Sequence, residues 1–459
     1  MILYPDQLDN IKAVSDAYRS GHRRVLLQAA TGSGKSVMAA SMIQKAALKG
    51  KHIKFIVPRR ELLRQMCSTF DNFQIPHGVM AAGHKQVDKP VMVCSLDSMR
   101  ARDIGRTDFA IIDETHYGGE GLNTLIDRLG DAYLLGLSAT PWKLSGQGLG
   151  CWYDHMVKGL SIRELIDAGR LSDYRAFSPS SPDLHGVSVV GGDYDKGQLS
   201  DRMRRDRVLT GNAVQHYKKH AMGKLAICYC VSIEHSKETA CAFNMAGIPA
   251  AHIDGTTPDI ERKRLISEFA NGIIKILTNC SLLTFGFDLA AQVDREDITV
   301  ECVIDLDPTK SLSRILQKWG RVLRRKDTPA IILDHAGNIE EHGLPCEDRE
   351  WTLSDRERKK AGKSDAPPVR KCPVCYHDHR PADKCPNCDH IYQTQSREID
   401  EVEGDLDEIT VALNKRVKRM EVGQARTRAE LERIAKERNY NPGWVFRQCQ
   451  LKGIQHGKT

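Results

Sequence analysis

An α/β chain of two parallel-sheet lobes in tandem, followed by a small cysteine knuckle and a helical tail, is the fold the sequence predicts, on three observations. Short apolar, β-prone runs alternate with helix-forming runs over residues 1–170 and again over 209–340, the pattern that builds parallel sheets with ligand sites at the strand C-termini. A loop rich in glycine and ending in lysine follows the first clear strand. Two Cys-x₂-Cys pairs follow the second alternating stretch.

The bulk numbers set the frame. A chain of 459 residues, 41% hydrophobic and 28% charged, can hold two or three cored domains of a globular protein. No apolar run reaches membrane-spanning length, and Met1-Ile2-Leu3-Tyr4-Pro5-Asp6 has neither a basic start nor a signal core, so a cytoplasmic protein with no membrane partner is expected. Ten of the 14 cysteines are scattered in runs that look like buried strands or helices, which suits a reducing compartment. The net charge of +7 is a mild bias towards a polyanion and decides nothing alone.

Taken in order, Tyr4-Pro5-Asp6-Gln7 precedes an amphipathic run, Leu8, Ile11, Val14 and Tyr18, that ends at Gly21. The strand pattern Val25-Leu26-Leu27 leads into Gln28-Ala29-Ala30-Thr31-Gly32-Ser33-Gly34-Lys35-Ser36-Val37 and a helix-forming run from Met38 to Leu48. This reads as a phosphate-binding loop. Small residues let the backbone N–H groups of Thr31, Gly32, Ser33, Gly34 and Lys35 approach a triphosphate at a helix N-terminus. Lys35 then brings a charge to the β/γ-phosphates, and the Ser36 hydroxyl can ligand Mg²⁺. Ala29 stands where the pattern usually has its first glycine, and a plain glycine turn before a helix is the alternative.

His52 to Val57 is a strand pattern followed by Pro58-Arg59-Arg60 at a helix start, which places Arg59 and Arg60 on the binding edge or on a solvated helix end. Phe109-Ala110-Ile111-Ile112 is a buried strand with Asp113-Glu114-Thr115-His116 at its end. Of the two acids, Asp113 suits Mg²⁺ and Glu114 suits a base that orients or deprotonates an attacking water. Leu134 to Leu137 is a further strand, ending in Ser138-Ala139-Thr140-Pro141.

After Arg170 the pattern weakens, and 171–208 reads as a linker whose charge run, Asp201 to Arg207, is a solvated helix face, with a binding site as the alternative. Strands return at Leu225 to Cys230, Ala250 to Ile253 and Ile273 to Asn279. Leu283-Thr284-Phe285-Gly286-Phe287-Asp288 follows, then Gln317-Lys318-Trp319-Gly320-Arg321-Val322-Leu323-Arg324. Arg321 and Arg324, three apart, would share a helix face and point two guanidiniums at one γ-phosphate; a basic face touching DNA or solvent is the alternative. No second phosphate loop appears, so one ATP between two lobes is expected.

Gly-Ser-Gly-Lys-Ser, Asp-Glu-Thr-His and Ser-Ala-Thr in this order, with Gln317-x-x-Gly320-Arg321-x-x-Arg324 beyond them, resemble the motifs of DExH-type superfamily 2 helicases. The resemblance implies two RecA-like lobes. It implies that Gln7 reads adenine and that Gly286 and Asp288 line the nucleotide cleft beside Gln317. It further implies that His116, Ser138 and Thr140 couple nucleotide to track, and that Arg59, Arg60, Ser95 and Thr278 meet nucleic acid. The motor motifs do not separate DNA from RNA, and a restriction-system motor subunit shares them.

Cys372-Pro373-Val374-Cys375 and Cys385-Pro386-Asn387-Cys388, nine residues apart, offer four thiolates in the set that structural Zn²⁺ favours. The knuckle at 371–392 would be reached by a linker at 341–370 and would serve as a structural clip or a nucleic-acid contact. Beyond it, 393–459 reads as an acidic spacer, Glu398 to Glu408, and a basic helical tail with Pro442-Gly443-Trp444 in a turn. Knuckle and tail resemble the C-terminal piece of RadD-like bacterial and phage helicases. That implies a monomeric ATP-dependent motor on single-stranded or branched DNA, with recombination or repair proteins as partners.

Overall fold

The computed structural model describes residues 3–143, 145–178, 182–205, 207–280, 282–284, 289, 295, 298–355, 368–392, 421–438, 440–452 and 454. The chain forms two compact units, Met1–Tyr392 and Gln393–Thr459.

The first lobe runs α1 (Pro5–Arg19), β1 (Arg24–Gln28), α2 (Lys35–Ala47), β2 (Ile53–Val57), α3 (Arg60–Asn72), β3 (Gly78–Met80), β4 (Val91–Ser95), α4 (Leu96–Ala101), β5 (Phe109–Ile112), α5 (Glu120–Leu129), β6 (Tyr133–Ser138) and β7 (His155–Lys158). Its seven strands lie in the order β3-β4-β2-β5-β6-β1-β7, all pairings parallel. Both faces are covered, which is why the strands read as near-continuous apolar runs. Val25 and Leu27 of β1 point to Ile11, Val14, Met38 and Ile43 of α1 and α2, while Leu26 between them points to Leu122, Leu125 and Ile126 of α5. Parallel stacking brings the ends of β1, β2, β5 and β6 to one edge, where the phosphate loop and the acid pair sit.

The second lobe contains α6 (Ile162–Asp167), β8 (Tyr174–Phe177), the hairpin β9 (Val189–Val190) and β10 (Asp193–Tyr194), α7 (Lys196–Arg205), α8 (Arg207–His220), β11 (Ala226–Cys230), α9 (Ile233–Met245), β12 (Ala250–Ile253), α10 (Asp259–Ala270), β13 (Ile276–Asn279), β14 (Cys302–Leu306), α11 (Leu312–Gly320), β15 (Ala330–Asp334), α12 (Asn338–His342), β16 (Arg370–Lys371) and β17 (His377–His379). The eight-stranded sheet has the order β12-β13-β11-β14-β15-β8-β17-β16.

Three expectations about boundaries change. The stretch 171–208 is no plain linker: β8 pairs parallel with β15, and Leu165 and Leu171 sit in the second lobe's core. Tyr174-Arg175-Ala176-Phe177 is four residues with a charge inside, too short for periodicity to reveal; strands on both sides make it a strand. The knuckle is not detached either, because β17 pairs antiparallel with β8. Finally, the end of the stretch 343–355 returns to the first lobe. The Gly150 N–H donates to Leu353 O at 2.9 Å, and Trp142 Nε1–H donates to Ser354 O at 3.0 Å.

In the second unit, α13 (Arg428–Glu437) and α14 (Pro442–Lys452) pack through Leu431, Ile434, Val445 and Cys449. Thr427 and Glu430 form a capping box on α13. Pro442-Gly443-Trp444 is the first turn of α14 rather than a loop, as Pro favours that position. The acidic spacer lies outside the described residues.

Candidate active site

The phosphate loop joins β1 to α2. Gly32 and Gly34 have φ of 87° and 88°, left-handed conformations that a side chain resists. A Cβ on Gly34 would also strike the Gln7 amide, and one on Gly32 would stand 2.9 Å from Leu171 Cδ2. Gln7 is buried at 3% exposure and donates from Nε2 to Ser33 O at 2.9 Å, while its Oε1 accepts from the Tyr4 N–H at 3.1 Å. The residue expected to read a base is thus also a strut under the loop. Lys35 Nζ donates to Ala29 O at 3.0 Å and Ala30 O at 3.4 Å, so the ammonium already faces the loop's concave side. Gln28 Nε2 donates to Ala139 O at 2.9 Å, tying the loop to the Ser138–Thr140 segment.

Asp113 and Glu114 follow β5. The Glu114 N–H donates to Asp113 Oδ1 at 3.0 Å. Burial first, and the neighbouring Glu114 charge second, push the Asp113 carboxyl up to about 7, with Lys35 acting the other way. A buried acid pair beside an ammonium has the chemistry of a divalent-cation site, in which Asp113 and Ser36 would hold Mg²⁺. Glu114 sits at φ 45°, a strained conformation costing on the order of 1–3 kcal/mol outside glycine. Glu114 Oε2 is buried with no hydrogen-bond partner and lies 3.4 Å from His116 Nδ1.

His116, Ser138 and Thr140 do meet. His116 Nδ1 is 2.8 Å from Ser138 Oγ, and that hydroxyl donates to Thr140 O at 2.5 Å. Ser138's proton is therefore spent, so Nδ1 carries the hydrogen of this pair. Burial holds the His116 imidazole down to about 4, with Glu114 pulling it up and Lys35 down, so the ring is neutral at pH 7.

From the second lobe, α11 closes on the loop. A Cβ on Gly320 would stand 2.6 Å from Thr31 Cβ; only glycine permits this approach. Gln317, 1% exposed, accepts at Oε1 from Tyr117 Oη at 3.0 Å across the lobe boundary. Arg321 is 8% exposed and its charge reaches the Tyr117 phenol. The arginine pair differs from expectation: α11 ends at Gly320, and Arg324 lies in a bridge with Leu171, its carbonyl accepting from Ser172 Oγ at 2.9 Å. The two arginines therefore share no helix face. α11 is anchored by Lys318, fully buried, whose Nζ is 2.9 Å from Asp305 Oδ1 and 2.9 Å from Asp307 Oδ2. Burial works to raise the Asp307 carboxyl, but Arg314 and Lys318 outweigh it and hold it below the usual range. Sequence reasoning missed this anchor, since a lysine between Gln317 and Trp319 gives no sign of burial. Lys318→Met leaves Asp305 buried without a cation, while Asp307 keeps Arg314 at 2.7 Å, and equilibrium unfolding is expected to register a loss of about 3–5 kcal/mol.

Thr278 needs correction. It is fully buried, its Oγ1 accepting from Ser236 Oγ and donating to Ser236 O, both at 2.9 Å, so it presents nothing to a strand of nucleic acid. Ser236 of α9 fixes it there. Ser95 caps α4, accepting from the Ser98 N–H at 3.2 Å. Arg59 is exposed at the start of α3, near enough to Tyr117 to act on its phenol. Arg60's backbone opens α3. Gly286 and Asp288 lie outside the described residues.

The four knuckle cysteines converge, their Sγ atoms all within 4.8 Å of one another. Cys372 Sγ is 3.6 Å from Cys388 Sγ, and Cys375 Sγ is 3.7 Å from Cys385 Sγ. A tetrahedron with Zn–S bonds of about 2.3 Å has edges of about 3.8 Å, so the set fits Zn²⁺. The two halves repeat one another: Tyr376 N–H donates to Cys372 O and Asp389 N–H to Cys385 O, both at 2.9 Å, with Tyr376 and Asp389 left-handed at φ 60° and 55°. Nearby histidines are engaged elsewhere, His377 Nδ1 with Ala176 O at 2.9 Å and His379 Nε2 with Tyr392 Oη at 2.7 Å.

Comparison with known proteins places the chain in a family. Residues 1–143 match the family model of the type III restriction enzyme, res subunit, and residues 211–326 match the helicase conserved C-terminal domain. A 51.5 kDa protein of Lactococcus phage (isolate 7-9) is 34% identical over 353 residues, covering 76% of this chain and 74% of that one. A putative ATP-dependent helicase IRC3 of Saccharomyces cerevisiae is 26% identical over 70% of this chain; the chain spans about half, 49%, of that relative's length. A DNA 3'-5' translocase XPB2 of Sulfurisphaera tokodaii is 22% identical, with 68% and 77% of the two chains covered.

Proposed function

Since the chain belongs to the superfamily 2 helicases, we propose that it is an ATP-dependent DNA helicase or translocase of the RadD-like branch, acting in recombination or repair. The observation that carries this reading is the shared cleft. Gln317 and Arg321 of the second lobe lie against the elements that hold Thr31, Lys35 and Glu114 in the first.

In this reading the loop N–H groups and Lys35 bind the β/γ-phosphates, and Glu114 orients the attacking water and takes its proton. Arg321, with Arg324, meets charge that develops on the γ-phosphoryl group; an arginine supplied from another domain can accelerate such transfer by about 10³ to 10⁵. Bound at Asp113 and Ser36, Mg²⁺ would neutralise the phosphate oxygens. The chain from Glu114 through His116 and Ser138 to Thr140 carries the nucleotide state towards the track, and Arg59, Arg60 and Ser95 hold the strand. The protein acts as a cytoplasmic monomer, and its DNA is single-stranded or branched.

Support for DNA over RNA comes from the archaeal relative's name as a DNA translocase. Steady-state ATP hydrolysis with matched DNA and RNA strands tests this. DNA stimulates turnover in the expected result; stimulation by RNA alone would replace the reading with an RNA helicase. The match of residues 1–143 to a restriction subunit favours one second reading, a restriction-system motor, which requires a partner endonuclease and site-dependent cleavage.

A further inference from the structure

Tyr117 stands beside the cleft and belongs to no motif. It closes the short turn Thr115–Tyr117 directly after Glu114, its N–H donating to Glu114 O at 3.0 Å, and its ring packs against that of His116 at 4.1 Å between centroids. Its phenol reaches out of the first lobe and donates to Gln317 Oε1 at 3.0 Å. Gln317 lies three residues before Gly320 on α11, so both share the face that presses on Thr31. The Gln317 Nε2 is buried with no hydrogen-bond partner among the described residues. With its oxygen held by Tyr117, the amide can turn only its N–H₂ towards the phosphate loop. Burial and then the Glu114 charge push the phenol up, with Arg59, Arg314 and Arg321 pulling down; at neutral pH it is a neutral donor.

Building on the proposed ATP-driven function, we infer that Tyr117 is a positioning residue: it orients the Gln317 amide on the γ-phosphate and links closure of the lobes to the turn that carries Glu114. A hydroxyl can make this bond only while the lobes are together, so the water-handling acid and the closure sensor lie on one turn. Two lobes that close without it leave Gln317 free to rotate, and the γ-phosphate loses an oriented donor.

The test is a double-mutant cycle on the full chain, with Tyr117→Phe, Gln317→Leu and the pair. Tyr117→Phe removes one oxygen from a half-buried site and should melt as wild type does. It is expected to lower nucleic-acid-stimulated kcat about tenfold, the equivalent of one oriented hydrogen bond, with KM for ATP within about twofold. The double variant should be no slower than Gln317→Leu alone. A second readout does not need turnover: the distance between labels placed by amber suppression at the exposed Leu48 and Met245 should lengthen in Tyr117→Phe. Additive losses in the cycle, wild-type kcat in an active Tyr117→Phe enzyme, or an unchanged label distance overturn the inference. A wild-type chain that no nucleic acid stimulates would instead overturn the proposed function, leaving the label distance to decide the role of Tyr117.

Discussion

Glu114→Gln lowers nucleic-acid-stimulated ATP turnover by about 10² to 10⁴-fold and leaves the protein loaded with ATP. The substitution keeps size and shape, so the φ 45° turn and the packing around it survive. What it removes is basicity. Glu114 Oε2 is sequestered from solvent without a hydrogen bond, and a glutamine there can hold a water but cannot take its proton. In the proposed reading ATP affinity is set by Lys35 and the loop N–H groups, so KM is expected to stay near that of wild type, whereas Lys35→Ala is expected to lose binding and turnover together. Filter-bound ATP and single-turnover hydrolysis separate the two variants; turnover unchanged in Glu114→Gln rejects the role given to this acid.

The same substitution carries a pH signature. Asp113 is pushed up to about 7 by burial and then by the charge of Glu114, so in the nucleotide-free protein it is protonated below about that pH. A protonated acid is a poor cation ligand, and Mg²⁺ dependence should therefore weaken as pH falls through about 7. Glu114→Gln removes the second of the two upward causes, and the weakening should move to lower pH. Magnesium titrations of nucleotide binding at several pH values check the sign, and a shift in the opposite direction would mean that the two carboxyls do not interact as the structure places them.

What was legible in the sequence was local. Gly32 and Gly34 announced backbone that only glycine adopts, Asp113-Glu114 stood after a run too apolar to be anything but a buried strand, and the cysteine spacing named the four thiols that converge. What was not legible depends on distant partners. Thr278 reads like any strand residue, and only the packing of α9 on β13 turns its hydroxyl inward to Ser236. Arg324 carries a helical spacing from Arg321, yet Leu171 from the other end of the lobe recruits it into a bridge. Lys318 sits in a run that reads as basic and exposed, and two aspartates at the end of β14 bury it. Tyr117 is a single aromatic with no period to mark it; its meaning comes from Gln317, 200 residues away.

The four thiols fit Zn²⁺, and we propose that they hold it, so that losing the metal costs the second lobe an edge of its sheet. β8 is held between β15 and the knuckle strand β17, and His377 adds a bond from its Nδ1 to Ala176 O. The hairpin that supplies β17 has little core of its own: Cys372, Cys375 and Cys385, with Tyr392 against them. Metal binding to such a site contributes on the order of 10 kcal/mol, and without it four thiols within 4.8 Å have no reason to stay together. Once β17 is released, β8 becomes an open edge, and Phe177, which stacks on His220 at 4.1 Å and packs against His377 at 5.4 Å, loses its contact with His377. Cys372→Ser with Cys385→Ser should therefore abolish a stoichiometry of one zinc per chain and lower the melting temperature by about 2–4 °C for each kcal/mol lost. The effect should reach the cleft through Leu171, three residues before β8, whose side chain touches the site of Gly32, so KM for ATP rises along with the loss of stability. Metal analysis by mass spectrometry beside calorimetry checks both halves; a zinc-free chain that melts as the wild type does would show that the thiol cluster holds itself.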